Sequence, residues 1–413
     1  MTIEEFMDLS SEQLNNITEI NFTNSALDCL ANSRPDKWEI FCNKISECVN
    51  LTSINLTNNN LAALGTDSFM ALADAFDNCS LLHTINFTHN NLAAFDHTSL
   101  EIFRYLLAKC NRLQTLNLTG NRLCTLNLAQ INILQEALLN CPNLHTLILS
   151  NNNLCMLKNN KLTALGTAIS SLSGLKTLSL NANNLCVLDI ETLQLWGDIL
   201  RQCPNLSTLE LSSNNLSYLE QNKIISLFYA LSRCSQLRAI NLSYNNLDSL
   251  DYSQKDSLLW YAGLLKCHSL QLVDISCNNL GSLTIDTLLD LANKLSRHDN
   301  LSIIVAHFNN FNNLHEDDFQ QFFNNLLKCN QIKKLYLTEH PSVSVQKQLL
   351  LKQIINNNHK NSASFKTTAK SLLLCWNRLQ QNPNDNLLSK IPKEMILQTI
   401  DNIPTQQSIK INL

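Results

Sequence analysis

Fifteen cysteines and ten histidines are the side chains of this chain best suited to metal binding or nucleophilic attack, and their spacing decides which chemistry is open. Eight cysteines (Cys48, Cys79, Cys110, Cys141, Cys203, Cys234, Cys267 and Cys329) share one lattice with a step of 31 residues, once 33, and Leu172 and His298 take the slot elsewhere. Cys124, Cys155 and Cys186 form a second lattice with the same step. A residue that returns once per unit is read as packing, because a free cysteine behaves as a small apolar group. Adjacent copies on the helical side stand too far apart for a disulfide, which needs Cα atoms within about 7 Å. There is no C-x-x-C and no H-E-x-x-H, so no metal site and no cofactor is expected. None of the seven glycines forms G-x-G-x-x-G or G-x-x-x-x-G-K-[ST], which removes the phosphate-cradling loops. No catalytic residue is assigned.

The elements that carry these lattices are set by a repeat. L-x-x-L-x-L-x-x-N-x-L reads Leu51, Ile54, Leu56, Asn59, Leu61, and again Leu113, Leu116, Leu118, Asn121, Leu123. Its asparagine recurs at Asn59, Asn90, Asn121, Asn152, Asn183, Asn214, Asn245, Asn278 and Asn309. Degenerate copies at Ile17, Ile20, Phe22, Ser25 and at Ile332, Leu335, Leu337, His340 are the atypical end units a stack requires. In L-x-L the leucines point to one side of a short strand and their neighbours to the other. Each lattice asparagine can satisfy backbone groups in the turn that leaves the strand, a structural role.

Apolar residues then recur at spacings of 3, 4 and 3, as in Leu100, Phe103, Leu107, Cys110 and Leu193, Trp196, Leu200, Cys203, which marks a helix with one apolar face. Strands stack about 4.8 Å apart and helices need about 8 to 10 Å, so the stack must bend with its strands inside. Two extra residues between Asn245 and Asn278 place an insertion around Asp251 to Asp256, on the convex side.

These residues resemble the leucine-rich-repeat signature, and the long helix-bearing unit resembles the ribonuclease-inhibitor-like class, over roughly residues 14 to 340. The resemblance implies an α/β, right-handed horseshoe solenoid with a concave parallel sheet, convex helices and a small helical C-terminal cap. Residues 1–50 are read as an N-terminal cap with a degenerate first repeat, 51–340 as repeats and 341–413 as the cap. Bacterial leucine-rich-repeat ubiquitin ligases use a C-x-D cysteine, which this chain lacks, and Cys375 is read as a helix residue. Leucine-rich-repeat activators of small GTPases present functional residues from strand exits. Arg122 stands at one in place of the second asparagine of the doublet, and an arginine can stabilise phosphoryl-transfer charge; a solvated surface arginine is the competing reading.

The face opposite the leucines is the informative surface. Its early residues are small and polar, such as Thr52, Ser53, Asn55, Thr57 and Gln114, Thr115, Asn117, Thr119. Later repeats place Arg238, Asn241, Tyr244, Leu272, Asp274, Ile303, Val305, His307, Phe308, Lys333, Lys334, Tyr336 and Glu339 there. Apolar and aromatic groups beside charges are what protein interfaces enrich, so a partner protein is expected on repeats seven to ten. The competing expectation is that residues 341–413 fold over this end. His83, His89, His145 and His307 are read as solvated on the same face, and His298 as a packed imidazole.

With 30 Lys+Arg, 34 Asp+Glu and a formal charge of −4, nothing favours nucleic acid or an anionic membrane. No apolar run approaches a membrane span of about 18 residues. The acidic opening Met1 to Phe6 does not read as a signal peptide. Sequons such as Asn55-Leu56-Thr57 and Asn86-Phe87-Thr88 would carry glycans onto the strand face. The expected setting is therefore a reducing cytosol. Abundant Asn, Lys and Ile, few Gly and a short tail resemble leucine-rich-repeat effectors that intracellular bacterial pathogens inject into host cells. Lys390 to Ile403 looks like the opening helix of an F-box, which leaves a ubiquitin-ligase adaptor as an alternative. After Pro341, helices are expected at 343–355, 364–379 and 386–403.

Overall fold

Each L-x-L segment becomes a three-residue strand because one side must be buried and the next strand lies one repeat away. The computed structural model describes residues 1–157, 160–250, 259–328, 332 and 334–337, in two compact units, 1–273 and 274–413. The first unit contains β1 (Glu19–Asn21), β2 (Ser53–Asn55), β3 (Thr84–Asn86), β4 (Thr115–Asn117), β5 (Thr146–Ile148), β6 (Thr177–Ser179), β7 (Thr208–Glu210) and β8 (Ala239–Asn241). Each pairs in parallel with the next, in equivalent register, as in Leu116↔Leu147 and Leu147↔Leu178. β9 (Leu272–Asp274) begins there too, with the Leu272 N–H donating to the Arg238 carbonyl at 2.9 Å. The second unit carries β10 (Ile303–Val305) and β11 (Lys334–Tyr336), also parallel. Ile275 and Cys277 donate their N–H groups to the carbonyls of Val305 and His307, both at 2.8 Å.

The inward leucines are sealed: Leu116, Leu147 and Leu209 have no exposed surface, and burial of each contributes about 1.5 to 3 kcal/mol. The helices close the other wall. Ile190–Arg201 buries Leu193, Trp196 and Leu200, and its N-terminus is capped by Asp189, whose carboxylate accepts the Thr192 N–H at 2.8 Å. At the helix ends the described lattice cysteines pack as expected, and Cys329 lies outside the described residues. Cys141 and Cys203 donate their thiols to the carbonyls of Ala137 and Ile199 at 3.7 and 3.3 Å, and burial pushes both up to about 12. His298, in the same slot, is buried and accepts the N–H groups of Asn300 and Leu301 at its Nδ1. The first unit opens on Ile3–Met7 and Ser11–Asn15, and Phe6 packs edge-on to Phe22 and Phe41 at 5.2 and 5.8 Å. These rings cover the apolar end that the first repeat would otherwise expose.

One element was not read from the sequence. From β2 to β10, the turn that leaves each strand runs into a three-residue 3-10 helix, such as Leu123–Thr125, Leu154–Met156 and Leu185–Val187. The insertion expected around Asp251 to Asp256, Cys375 and the helices expected after Pro341, including the F-box-like segment, lie outside the described residues. Among the described residues no helix is long and apolar enough to cross a membrane.

Candidate functional site

The lattice asparagines set the geometry of the strand exits. Asn121 is fully buried; its Nδ2 donates to the carbonyls of Phe87, Leu118 and Thr119 at 2.9, 3.0 and 3.2 Å. Its Oδ1 accepts the N–H groups of Asn90 and Leu92 at 3.0 and 3.2 Å. Asn90, Asn152 and Asn183 repeat the arrangement in their own layers. Each asparagine therefore ties its own turn to the preceding repeat.

Two left-handed residues flank every lattice asparagine. The one after it is Asn60, Asn91, Asn153, Asn184, Asn215, Asn246, Asn279 or Asn310, and once Arg122, with φ of 56°. Asparagine tolerates this conformation better than other side chains bearing a Cβ, so the doublet is a backbone device. Arg122 is exposed, in a slot where the turn geometry favours asparagine. Arg122→Asn should raise the stability of the first unit by about 0.5 to 1 kcal/mol. A lower denaturation midpoint would show instead that the guanidinium itself stabilises the turn.

The left-handed residue before the lattice asparagine points to the strand face. In most repeats it is small or tolerant: Asn58, His89, Gly120, Asn151, Ala182, Ser213 and Cys277, with Asn24 before Ser25 in the degenerate first copy. At Gly120 an added Cβ would fall 2.2 Å from the His89 ring, so the imidazole lies directly over the glycine. In the later repeats the same slot holds Tyr244 (φ 55°) and Phe308 (φ 52°). A bulky side chain at positive φ is an outlier that costs about 1 kcal/mol or more.

The two units contribute separate patches of the expected surface. In the first, Arg238 is exposed, and Asn241, Tyr244 and Leu272 are half-buried. The Asn241 carboxamide oxygen is held by the Ser243 N–H at 2.9 Å. In the second, Asp274, His307, Phe308 and Tyr336 are half-buried, whereas Ile303, Val305 and Lys334 are buried. These last three have little exposed surface, in contrast to the expectation that they project into solvent. Lys333 and Glu339 lie outside the described residues.

His307 also departs from the solvated reading. Its backbone N–H donates to Ser276 Oγ at 3.0 Å, and its ring lies 6.3 Å from that of Phe308 and 6.4 Å from that of Tyr336. Burial pushes its pKa down to about 4, so the ring is neutral at physiological pH, with Nδ1 buried and lacking a hydrogen-bond partner. Burial likewise raises the Tyr336 hydroxyl and lowers the Lys334 ammonium.

The early strand face is recessed at the ends of β3 and β4. Asn86 and Asn117 are buried, and each carboxamide oxygen accepts both the N–H and the hydroxyl of the threonine two residues on. These asparagines are sequon sites with no room for a glycan. Sequence reasoning missed a different surface. The last residues of three consecutive 3-10 helices, Met156, Val187 and Tyr218, are 65, 64 and 74 % exposed, where Ala63, Ala94 and Thr125 stand in earlier repeats. Their lattice spacing was the available signal. Among the described residues no group of His, Cys, Asp or Glu is placed to hold a metal ion.

No family model matches the sequence, and no curated protein matches it. Solved structures do match. The leucine-rich-repeat-containing protein LegL7 from Legionella pneumophila superposes with a TM-score of 0.58 at 19 % identity, over 84 % of this chain and 99 % of that one. Human 5T4, the trophoblast glycoprotein, aligns over 62 % of this chain and 78 % of its own, with 19 % identity and a TM-score of 0.38. The chain has the leucine-rich-repeat fold, with parallel strands alternating with helices.

Proposed function

We propose that this chain is a non-enzymatic recognition module that holds a partner protein on the strand face of its later repeats, and that it acts as a bacterial effector inside a host cell. The observation that carries the first part is the conformation of Tyr244 and Phe308. Each is a bulky aromatic held at positive φ on a strand exit where smaller residues serve the fold elsewhere. A conformational cost at a surface position is maintained when the side chain is used, and aromatic residues with a neighbouring arginine such as Arg238 are the groups interfaces favour. The effector role rests on composition and on resemblance, with which the likeness to a Legionella protein agrees.

The test is recovery of bound protein from a host-cell lysate. Tyr244→Ala in the first unit and Phe308→Glu in the second should each reduce recovery of the same band by tenfold or more, about 1.4 kcal/mol. Thr57→Ala and Thr88→Ala on the early repeats should leave it unchanged. Equal losses from all four, or losses confined to the early repeats, would place the partner elsewhere.

A further inference from the structure

We propose that Cys124, Cys155 and Cys186 form a redox switch in which Cys155 closes a disulfide with either of its two neighbours. The helix-end cysteines have a packing explanation, since their thiols donate to helix carbonyls. These three do not share it. Each is the middle residue of a 3-10 helix, and the same position is Ala62 and Ala93 in the preceding repeats, so a methyl group already satisfies the volume there.

The layers are in register. The N–H groups of Cys124, Cys155 and Cys186 donate to the carbonyls of Asn152, Asn183 and Asn214 at 3.3, 3.4 and 3.3 Å. The 3-10 helices of successive layers lie side by side, with Cα atoms of adjacent layers within 8 Å of one another, and a disulfide spans Cα separations of about 4.4 to 6.8 Å. Cys155 feels the charge of both neighbours. It is buried, whereas Cys124 and Cys186 are partly exposed. Burial raises all three thiols.

The arrangement gives attack and resolution separate sites. The Cys124 or Cys186 thiolate attacks a low-molecular-weight disulfide, forming a mixed disulfide and expelling one small thiol. The Cys155 thiolate then attacks the protein sulfur of that adduct and expels the second small thiol. Two protein thiols are oxidised and one external disulfide is reduced to two thiols, with the protons passing to solvent and the leaving thiolates. The remaining outer thiolate can next attack Cys155, moving the link one layer along without further oxidant. The link would fix the spacing of the turns that carry Met156 and Val187.

The full-length chain treated with oxidised glutathione, then alkylated and mapped by mass spectrometry, tests this. The expected product has lost the mass of two hydrogens and is linked 124–155 or 155–186, with Cys79, Cys141 and Cys203 still free. Cys155→Ala should accumulate stable glutathione adducts on Cys124 and Cys186. The double variant Cys124→Ala/Cys186→Ala should leave Cys155 unmodified. Persistent mixed disulfides on Cys124 or Cys186 of the parent chain, a link from any of the three to another cysteine, or no reaction at these three would overturn the proposal; an adduct on the exposed Cys29 is independent of it.

Discussion

Asn121→Ala should destabilise the first unit by on the order of 4 kcal/mol, with Asn184→Ala, its exposed counterpart in the doublet, costing about 1 kcal/mol or less. The difference follows from where the hydrogen bonds go. Removing the Asn121 carboxamide strands the N–H groups of Asn90 and Leu92 and takes its donor from the Phe87 carbonyl, whereas the carbonyls of Leu118 and Thr119 keep Asn152 Nδ2 and the His89 N–H, both at 2.9 Å. Each of the three buried groups left without this partner costs about 1 to 3 kcal/mol. Asn184 is exposed; its amide donates to Asn153 Oδ1 at 2.9 Å, so water replaces the lost bond and only the left-handed preference is forfeited. Asn121→Asp separates the two halves of the interaction, keeping the acceptor while losing the donor and burying a charge, and should be no better than alanine. Urea denaturation followed by circular dichroism reads the series. Comparable midpoint shifts for Asn121→Ala and Asn184→Ala would show that the buried ladder does not govern stability.

The leucine pairs and the asparagine lattice made the fold legible, because both report interactions that repeat with the chain itself: Leu116 meets Leu147 whatever partner the protein has. The helix-end cysteines were legible for the same reason. The asparagine doublet held more information than was drawn from it, since two turn-favouring residues beside a strand predict left-handed backbone, and Asn91 and Asn153 adopt it. Exposure was not legible. Ile303 and Val305 occupy outward strand positions yet are buried, while Met156 and Tyr218 follow buried leucines by two residues yet project into solvent. Alternation assigns a side chain to a face; only the layers around it decide whether solvent reaches that face. His307 shows the same limit, because its neutral ring follows from burial beside Tyr336, a residue 29 positions away.

Tyr244→Asn and Phe308→Asn separate the two roles of the strand exits, stability and recognition, in a way alanine cannot. Asparagine is the residue that earlier repeats use in this slot, at Asn24, Asn58 and Asn151, so each substitution removes a bulky side chain from positive φ. The relief of about 1 kcal/mol offsets the apolar burial that a half-covered ring supplies, and the thermal midpoint of each variant should match or exceed that of the parent. Binding should move the other way. A central aromatic side chain contributes about 2 kcal/mol or more, so partner affinity should fall by roughly 30-fold for each change. A merely structural aromatic predicts the reverse pairing, a lower melting midpoint with binding lost only in proportion to unfolding. Thermal denaturation and a partner titration on the same preparation distinguish them: undiminished affinity in both variants would mean that neither ring meets the partner. Loss in one alone would confine recognition to that unit, because each patch is built from its own repeats.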